Sequence, residues 1–203
     1  MKKIVAQEQN AWVAHVNEWL EQKKLQHHAT SLYVPAGETP KLIYKNWREK
    51  APAALAGLKL IQIDDVMTGK RKNLFKDFFR EELPAWAGSI EYIDSGSSQA
   101  DLGLLGIGLN GHVAFHEPGI AQNFYSGCVR LQDITLKNLE LEPDTWGKTY
   151  GAGAFLKCKS LLLIVKGIKK KEILQKTLAS LSKVPASALL SHPDLTILSD
   201  FEF

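Results

Sequence analysis

Apolar residues recur along the chain in two alternating periods. Trp12, Val16, Trp19 and Leu20 fall at helical spacing and form one apolar stripe. Ser31-Leu32-Tyr33-Val34 then reads as a short buried strand, stopped by Pro35-Ala36-Gly37. Thr39-Pro40 has the form of an N-cap followed by proline at the first helical position. The alternation repeats. Leu58 to Ile63 predicts a strand ending at Asp64-Asp65, and Leu74, Phe75, Phe78, Phe79 and Leu83 the apolar face of the next helix. Asp101 to Ile107 is almost wholly apolar, as a strand covered on both faces requires. Leu161 to Val165 predicts another strand, followed by a Lys-rich helix with Ile173, Leu174, Leu178 and Leu181 inside, and Leu195 to Leu198 a last one. Strands alternating with helices predict an α/β fold, a doubly wound, Rossmann-like and mainly parallel sheet with helices on both faces. With no internal repeat and no linker rich in Pro, Gly and Ser, one domain is expected over residues 1–203.

Composition changes this picture little. The 203 residues are 45% apolar and 23% charged, which excludes collagenous, low-complexity and disordered chains. A net charge of +3 forces no nucleic-acid partner. The longest aliphatic run, Leu161 to Val165, is far short of the ~20 residues a bilayer span needs, so no membrane partner is expected either. Met1 to Ala6 meets Gln7-Glu8-Gln9-Asn10 before a signal core could form, and a cytoplasmic location is the expectation. Cys128 and Cys158 lack paired spacing and read as reduced structural thiols.

In open α/β sheets ligands bind beyond the carboxyl ends of the strands. The residues there are Pro35 to Pro40, Asp64-Asp65, Gly108 to Pro118 and Lys166 to Lys170, and all four groups should converge. Gly106-Ile107-Gly108-Leu109-Asn110-Gly111 matches the dinucleotide fingerprint in form, but Pro118-Gly119 arrives too soon for the long helix that must carry a pyrophosphate. These glycines instead allow a tight path that brings His112 into a pocket. His112 and His116 stand four apart without the His-Glu-x-x-His order, and no metal is expected. Each histidine has both a structural reading, bonded to backbone, and a functional one, with the structural reading weightier for His116. Of the tandem acids only one can cap the next helix, which gives that role to Asp65 and leaves Asp64 for chemistry. Gly37 and Thr39 offer donors at a helix start, and Lys169-Lys170-Lys171 places cations at another, where the macrodipole disfavours them unless an anion is bound. A shared phosphate would account for both.

The run Leu105-Gly106-Ile107-Gly108-Leu109-Asn110-Gly111-His112-Val113-Ala114-Phe115-His116-Glu117-Pro118 resembles the motif of glucosamine-6-phosphate deaminases, whose fold 6-phosphogluconolactonases share. The Phe115-His116-Glu117-Pro118 end is similar to the deaminase version. Pro35 to Pro40 looks like the family's phosphate loop, Ile63-Asp64-Asp65 like its strand end, Gly151-Ala152-Gly153 like its glycine pair, and Gly167 to Lys170 like its Gly-x-x-Lys segment. There are departures. Glu38 stands where the loop commonly has Gly, so its carboxylate must turn away. Asn110 replaces an Asp beside the histidine. The stretch from Arg130 to Lys148 is shorter than the family's lid and lacks its Arg, leaving Arg130 as the last arginine in the chain. Phe203 ends the chain before the extension of allosteric members, and no such regulation is expected.

The resemblance implies an enzyme, metal-independent and without cofactor, acting on a small sugar phosphate as a monomer or small homo-oligomer. It implies Asp64 as the base at C2, and His112 as the group that opens the ring, with Glu117 and Asn110 orienting it. It further implies that Ala36, Gly37, Glu38, Thr39, Gly108, Gly111, Arg130 and Lys170 bind substrate or phosphate. The alternatives are a 6-phosphogluconolactonase using His112 as base, and a non-catalytic sugar-phosphate binder.

Overall fold

The computed structural model describes residues 1–95, 98–179 and 183–203; Leu181, expected on the inner face of a helix, lies outside them. In chain order the elements are β1 (Lys2–Val5), α1 (Gln9–His27), β2 (Ser31–Val34), α2 (Lys41–Lys50), β3 (Lys59–Gln62), β4 (Asp64–Val66), α3 (Leu74–Glu82), β5 (Leu102–Gly106) and β6 (Ser126–Arg130). There follow α4 (Asp133–Asn138), β7 (Trp146–Tyr150), α5 (Ala152–Phe155), β8 (Ser160–Val165), α6 (Lys171–Leu178), α7 (Pro185–Ala188) and β9 (Leu195–Ser199).

A six-stranded sheet runs in the order β1-β9-β8-β5-β2-β3, and every pairing in it is parallel. One face is covered by α1, α2 and α3 through Trp12, Leu20, Tyr44, Trp47 and Phe79. The other is covered through Phe155, Leu174 and Leu189 with Tyr33 and Leu163 of the sheet. Burial on both faces is why β5 and β8 read as unbroken apolar runs rather than alternating ones. The expected α/β, doubly wound architecture is therefore observed. Among the described residues no helix is long and apolar enough to cross a membrane.

Two features depart from the pattern-based expectation. Lys2–Val5, given no element from sequence, forms an edge strand against β9, its polar residues facing solvent. The run Leu58 to Ile63 does not end in a turn at Asp64-Asp65. The chain leaves the large sheet after Gln62 and enters a three-stranded antiparallel sheet, β4-β7-β6, at Asp64. That sheet has its own small core of Val66, Phe75, Phe115, Val129 and Leu131.

The strand order locates the site. From β2 the chain moves outward to β3, and from β5 it moves the other way to β8 and β9. The crevice between the carboxyl ends of β2 and β5 is thus the topological switch point, where an open α/β sheet leaves room for a ligand.

Candidate active site

A cavity of about 600 Å³ fills that crevice, within the ~300–1,000 Å³ range of small-molecule sites. Its lining includes Pro35 to Pro40 after β2, Ile63-Asp64 after β3, Gly106 to Leu109 and His112 after β5, and Lys166 to Lys170 after β8. The convergence of strand ends expected from sequence is met. Phe75 and Phe115, stacked with centroids 5.4 Å apart, form part of the wall, and Thr135, Asn138 and Leu139 of the α4 segment contribute another part.

The step from one sheet to the other positions the tandem carboxylates. Asp65 accepts hydrogen bonds from the backbone N–H groups of Val66 (2.8 Å), Phe75 (2.9 Å) and Lys76 (3.0 Å) and from the Gln62 amide (3.1 Å). Two of these donors open α3, so Asp65 caps that helix, as expected, but across space rather than from the flanking position held by Asn73. Asp64 is 5% exposed and lines the cavity, and its carboxyl has no hydrogen-bond partner among the described residues. Burial first, and the neighbouring Asp65 second, push its carboxyl well above the ordinary aspartate range.

His112 is delivered by a tight turn in which Gly108 and Gly111 have separate duties. Gly111 adopts φ +84°, which L side chains rarely take, and a Cβ there would strike Val184 at 2.6 Å. A Cβ on Gly108 would lie 2.2 Å from Cε1 and Nε2 of His112, so the imidazole occupies the space that a side chain there would fill. Nδ1 of His112 faces Oε2 of Glu117 at 3.5 Å, a charge contact longer than a good hydrogen bond, while the ring lines the cavity. Glu117 is 1% exposed. Burial would raise its pKa, but His112, the Thr135 hydroxyl and the Asn110 amide together hold it below the usual glutamate value.

Asn110 does not reach the imidazole, as the orienting role implied by sequence would require. Its amide nitrogen donates to Glu117 Oε2 (3.0 Å) and its oxygen accepts from the backbone N–H of His112 (3.2 Å), so it braces the loop and the carboxylate instead. His116 follows its structural reading: it is fully buried, Nδ1 accepts from the backbone N–H of Ala152 at 3.0 Å, and burial lowers its pKa. Among the described residues no group of three or more His, Cys, Asp and Glu could hold a metal ion. The glycines of the 151–153 segment allow close approach of residues 123–124, whose backbone oxygens lie 2.4 Å and 2.3 Å from where Cβ atoms of Gly151 and Gly153 would stand.

At the opposite end, Lys170 donates to the Thr39 hydroxyl at 3.0 Å, joining the loop after β8 to the loop after β2. Burial lowers the pKa of Lys170, opposed by Asp200, whose carboxylate also accepts from the backbone N–H of Gly167 at 2.8 Å. A half-buried cation beside a hydroxyl and the loop Ala36-Gly37 is a receptor for an anion. Thr39 does not cap α2: no side-chain cap bond is made, and Pro40 occupies the cap position. The Glu38 side chain is turned to solvent, paired with Lys41. Arg130 is displaced from its expected role. It lies on an outer strand of the small sheet, paired with Asp144, and does not line the cavity, because β6 is the edge farthest from β4. Thr135 and Asp200 are the contributors that sequence reasoning missed.

No protein-family model matches the chain. A curated glucosamine-6-phosphate deaminase from Bacillus thuringiensis (strain Al Hakam) is 38% identical over 114 residues, covering 52% of this chain and 44% of that protein; one from Bacillus cereus (strain AH820) gives the same figures. The chain is similar to glucosamine-6-phosphate deaminases. It spans less than half the length of these curated relatives. Among solved structures, a monomeric glucosamine-6-phosphate deaminase superposes with TM-score 0.78 over 98% of this chain and 97% of its own, at 20% identity. A 6-phosphogluconolactonase from Trypanosoma cruzi does so with TM-score 0.73 over 98% and 93%, at 16% identity. These two superpositions establish the fold.

Proposed function

We propose that the chain is a deaminase of amino-sugar phosphates, converting glucosamine 6-phosphate and water to fructose 6-phosphate and ammonia. The observation that carries this reading is one cavity holding an unpartnered buried carboxyl, Asp64, a carboxylate-backed imidazole, His112, and a lysine-hydroxyl pair for a phosphate, Lys170 with Thr39. The sequence similarity to deaminases supports it.

The reaction follows from these groups. His112, protonated and facing Glu117, gives a proton to the ring oxygen, and the ring opens to the 2-amino aldehyde. Asp64 removes the proton from C2, and the electron pair moves toward C1, giving an enolamine. A proton returned at C1 leaves an iminium at C2; water adds there and ammonia departs, leaving the ketone. The C1 carbonyl takes up the electron pair and the C2 iminium then accepts water, so the scheme invokes no cofactor. Burial raises the Asp64 carboxyl above the ordinary aspartate range, which makes its carboxylate a stronger base toward the C2 proton. The phosphate, held by Lys170, Thr39 and the backbone of Ala36-Gly37, fixes the distance from C6 to the reacting carbons. We read the working unit as a monomer or small homo-oligomer, the first supported by the monomeric structural relative.

The test is incubation of the purified protein with glucosamine 6-phosphate and, separately, with 6-phosphogluconolactone, following ammonia and acid release. Ammonia with ketose phosphate is the expected product. Acid release from the lactone alone would replace the reading with lactone hydrolysis, and binding of the amino sugar phosphate without product would make the protein a non-catalytic binder.

A further inference from the structure

The α4 segment does more than wall the cavity. The Thr135 hydroxyl donates to Oε1 of Glu117, the oxygen opposite the one facing His112 and Asn110. Gln132, at the start of the same helix, donates to the backbone oxygen of Pro118 at 2.7 Å and accepts from Asn110 at 3.4 Å. The helix is thereby stapled to the loop that carries His112. Thr135 is 2% exposed, and a threonine buried at this point without the carboxylate would carry an unmet polar group.

We propose that Thr135 is a positioning residue of this site: its hydroxyl holds the Glu117 carboxylate charged and aimed at His112, and makes the α4 wall part of the catalytic relay. The inference rests on the deaminase reading for the role of His112, but the geometry of the staple does not. The titratable groups facing Glu117 are His112 and His116 of its own loop. Its own loop adds the neutral Asn110, and the facing element α4 adds the neutral Thr135, while Asp133 and Lys137 of α4 are exposed. Removing a donor from a buried carboxylate raises its pKa. The acid limb of the kcat profile therefore moves toward higher pH when the hydroxyl is lost.

The experiment compares the unaltered protein with Thr135→Val, which keeps the shape, and with the pair Thr135→Ser and Thr135→Ala, which differ by one oxygen. The expected result for Thr135→Val is kcat about tenfold lower with KM little changed, the ratio given by the weaker end of hydrogen bonds to charged groups. Thr135→Ser should restore the rate and the pH profile, and Thr135→Ala should not. A carboxyl carbon-13 titration of Glu117 should show its midpoint rising in Thr135→Val and in Thr135→Ala. That readout needs no substrate. If it rises while the unaltered protein releases no ammonia, the deaminase reading fails and the positioning role stands. Wild-type kinetics and an unmoved Glu117 titration in Thr135→Val, or in Thr135→Ala if the first does not fold, overturn the proposal. So does equal damage from Thr135→Ser.

Discussion

Replacing Gly108 by alanine tests the site with a single methyl group. The added carbon would stand 2.2 Å from Cε1 and Nε2 of His112 and 2.5 Å from Cδ2. Nonbonded carbons settle at ~3.5 Å or more, so from 2.2 Å the ring must retreat by about 1.3 Å. Gly108 is not among the glycines with positive φ, so the backbone itself accepts alanine and the damage is confined to the imidazole. One side of the ring is closed by buried Glu117, which leaves movement into the cavity and loss of the 3.5 Å contact at Nδ1. Misplacing a reacting group by ~1 Å can cost about 10² in rate, which corresponds to ~2.7 kcal/mol of barrier. Because His112 can swing into open space, the stability loss should fall at the low end of the ~1–3 kcal/mol seen for overpacking. The assay is kcat/KM from coupled ammonia release, alongside a melting curve. A folded Gly108→Ala protein with kcat/KM within about threefold of wild type, a barrier change under ~0.7 kcal/mol, would refute the placement of His112 at the reaction centre.

Asp64→Asn should lose roughly 10² to 10⁴ in turnover while keeping the fold. Its stability should also rise relative to wild type as pH increases. A carboxyl whose folded pKa is raised stabilises the wild type below the unfolded value, and that contribution is lost as pH climbs through the folded pKa; melting curves across pH check the sign. Lys170→Met should raise KM for the phosphorylated substrate about ten- to a hundredfold, the scale of a charge-assisted contact, with no comparable change for an unphosphorylated analogue. Arg130→Ala should leave kcat and KM unchanged and cost no more than ~1 kcal/mol, since its pair with Asp144 is on the surface; an elevated KM would contradict its position outside the cavity.

What could be read from sequence was set by how strongly local chemistry dictates geometry. β5 and β8 are apolar on both faces, with a glycine at the end of β5 and another two residues after β8, so their position and the loops that follow them were legible. β6, Ser126 to Arg130, has one buried residue and takes its place from pairing with β7, so no local pattern announces it. The misplacement of Arg130 follows from that omission. Asp65 was correctly given a capping role, yet its donors lie beyond an intervening loop, which adjacency rules do not see. Asp64, His112, Gly108 and Lys170 fall at strand ends and all line the cavity. Thr135 could not have been found, because a hydroxyl on a short helix has the same sequence signature whether it meets solvent or a buried carboxylate.

Only Ile63 separates β3 from β4, so the orientation of Asp64 is fixed by strand register. One residue inserted there would turn the carboxyl to the opposite face of the small sheet and abolish the chemistry. The segment from 131 to 145 is under no such register constraint: it is held by Gln132 and Thr135 at the loop of His112 and by Leu131 in the small core. A protein engineer seeking a different sugar would therefore leave the junction of the sheets untouched and exchange the α4 segment, provided the graft brings a hydroxyl of its own to Glu117.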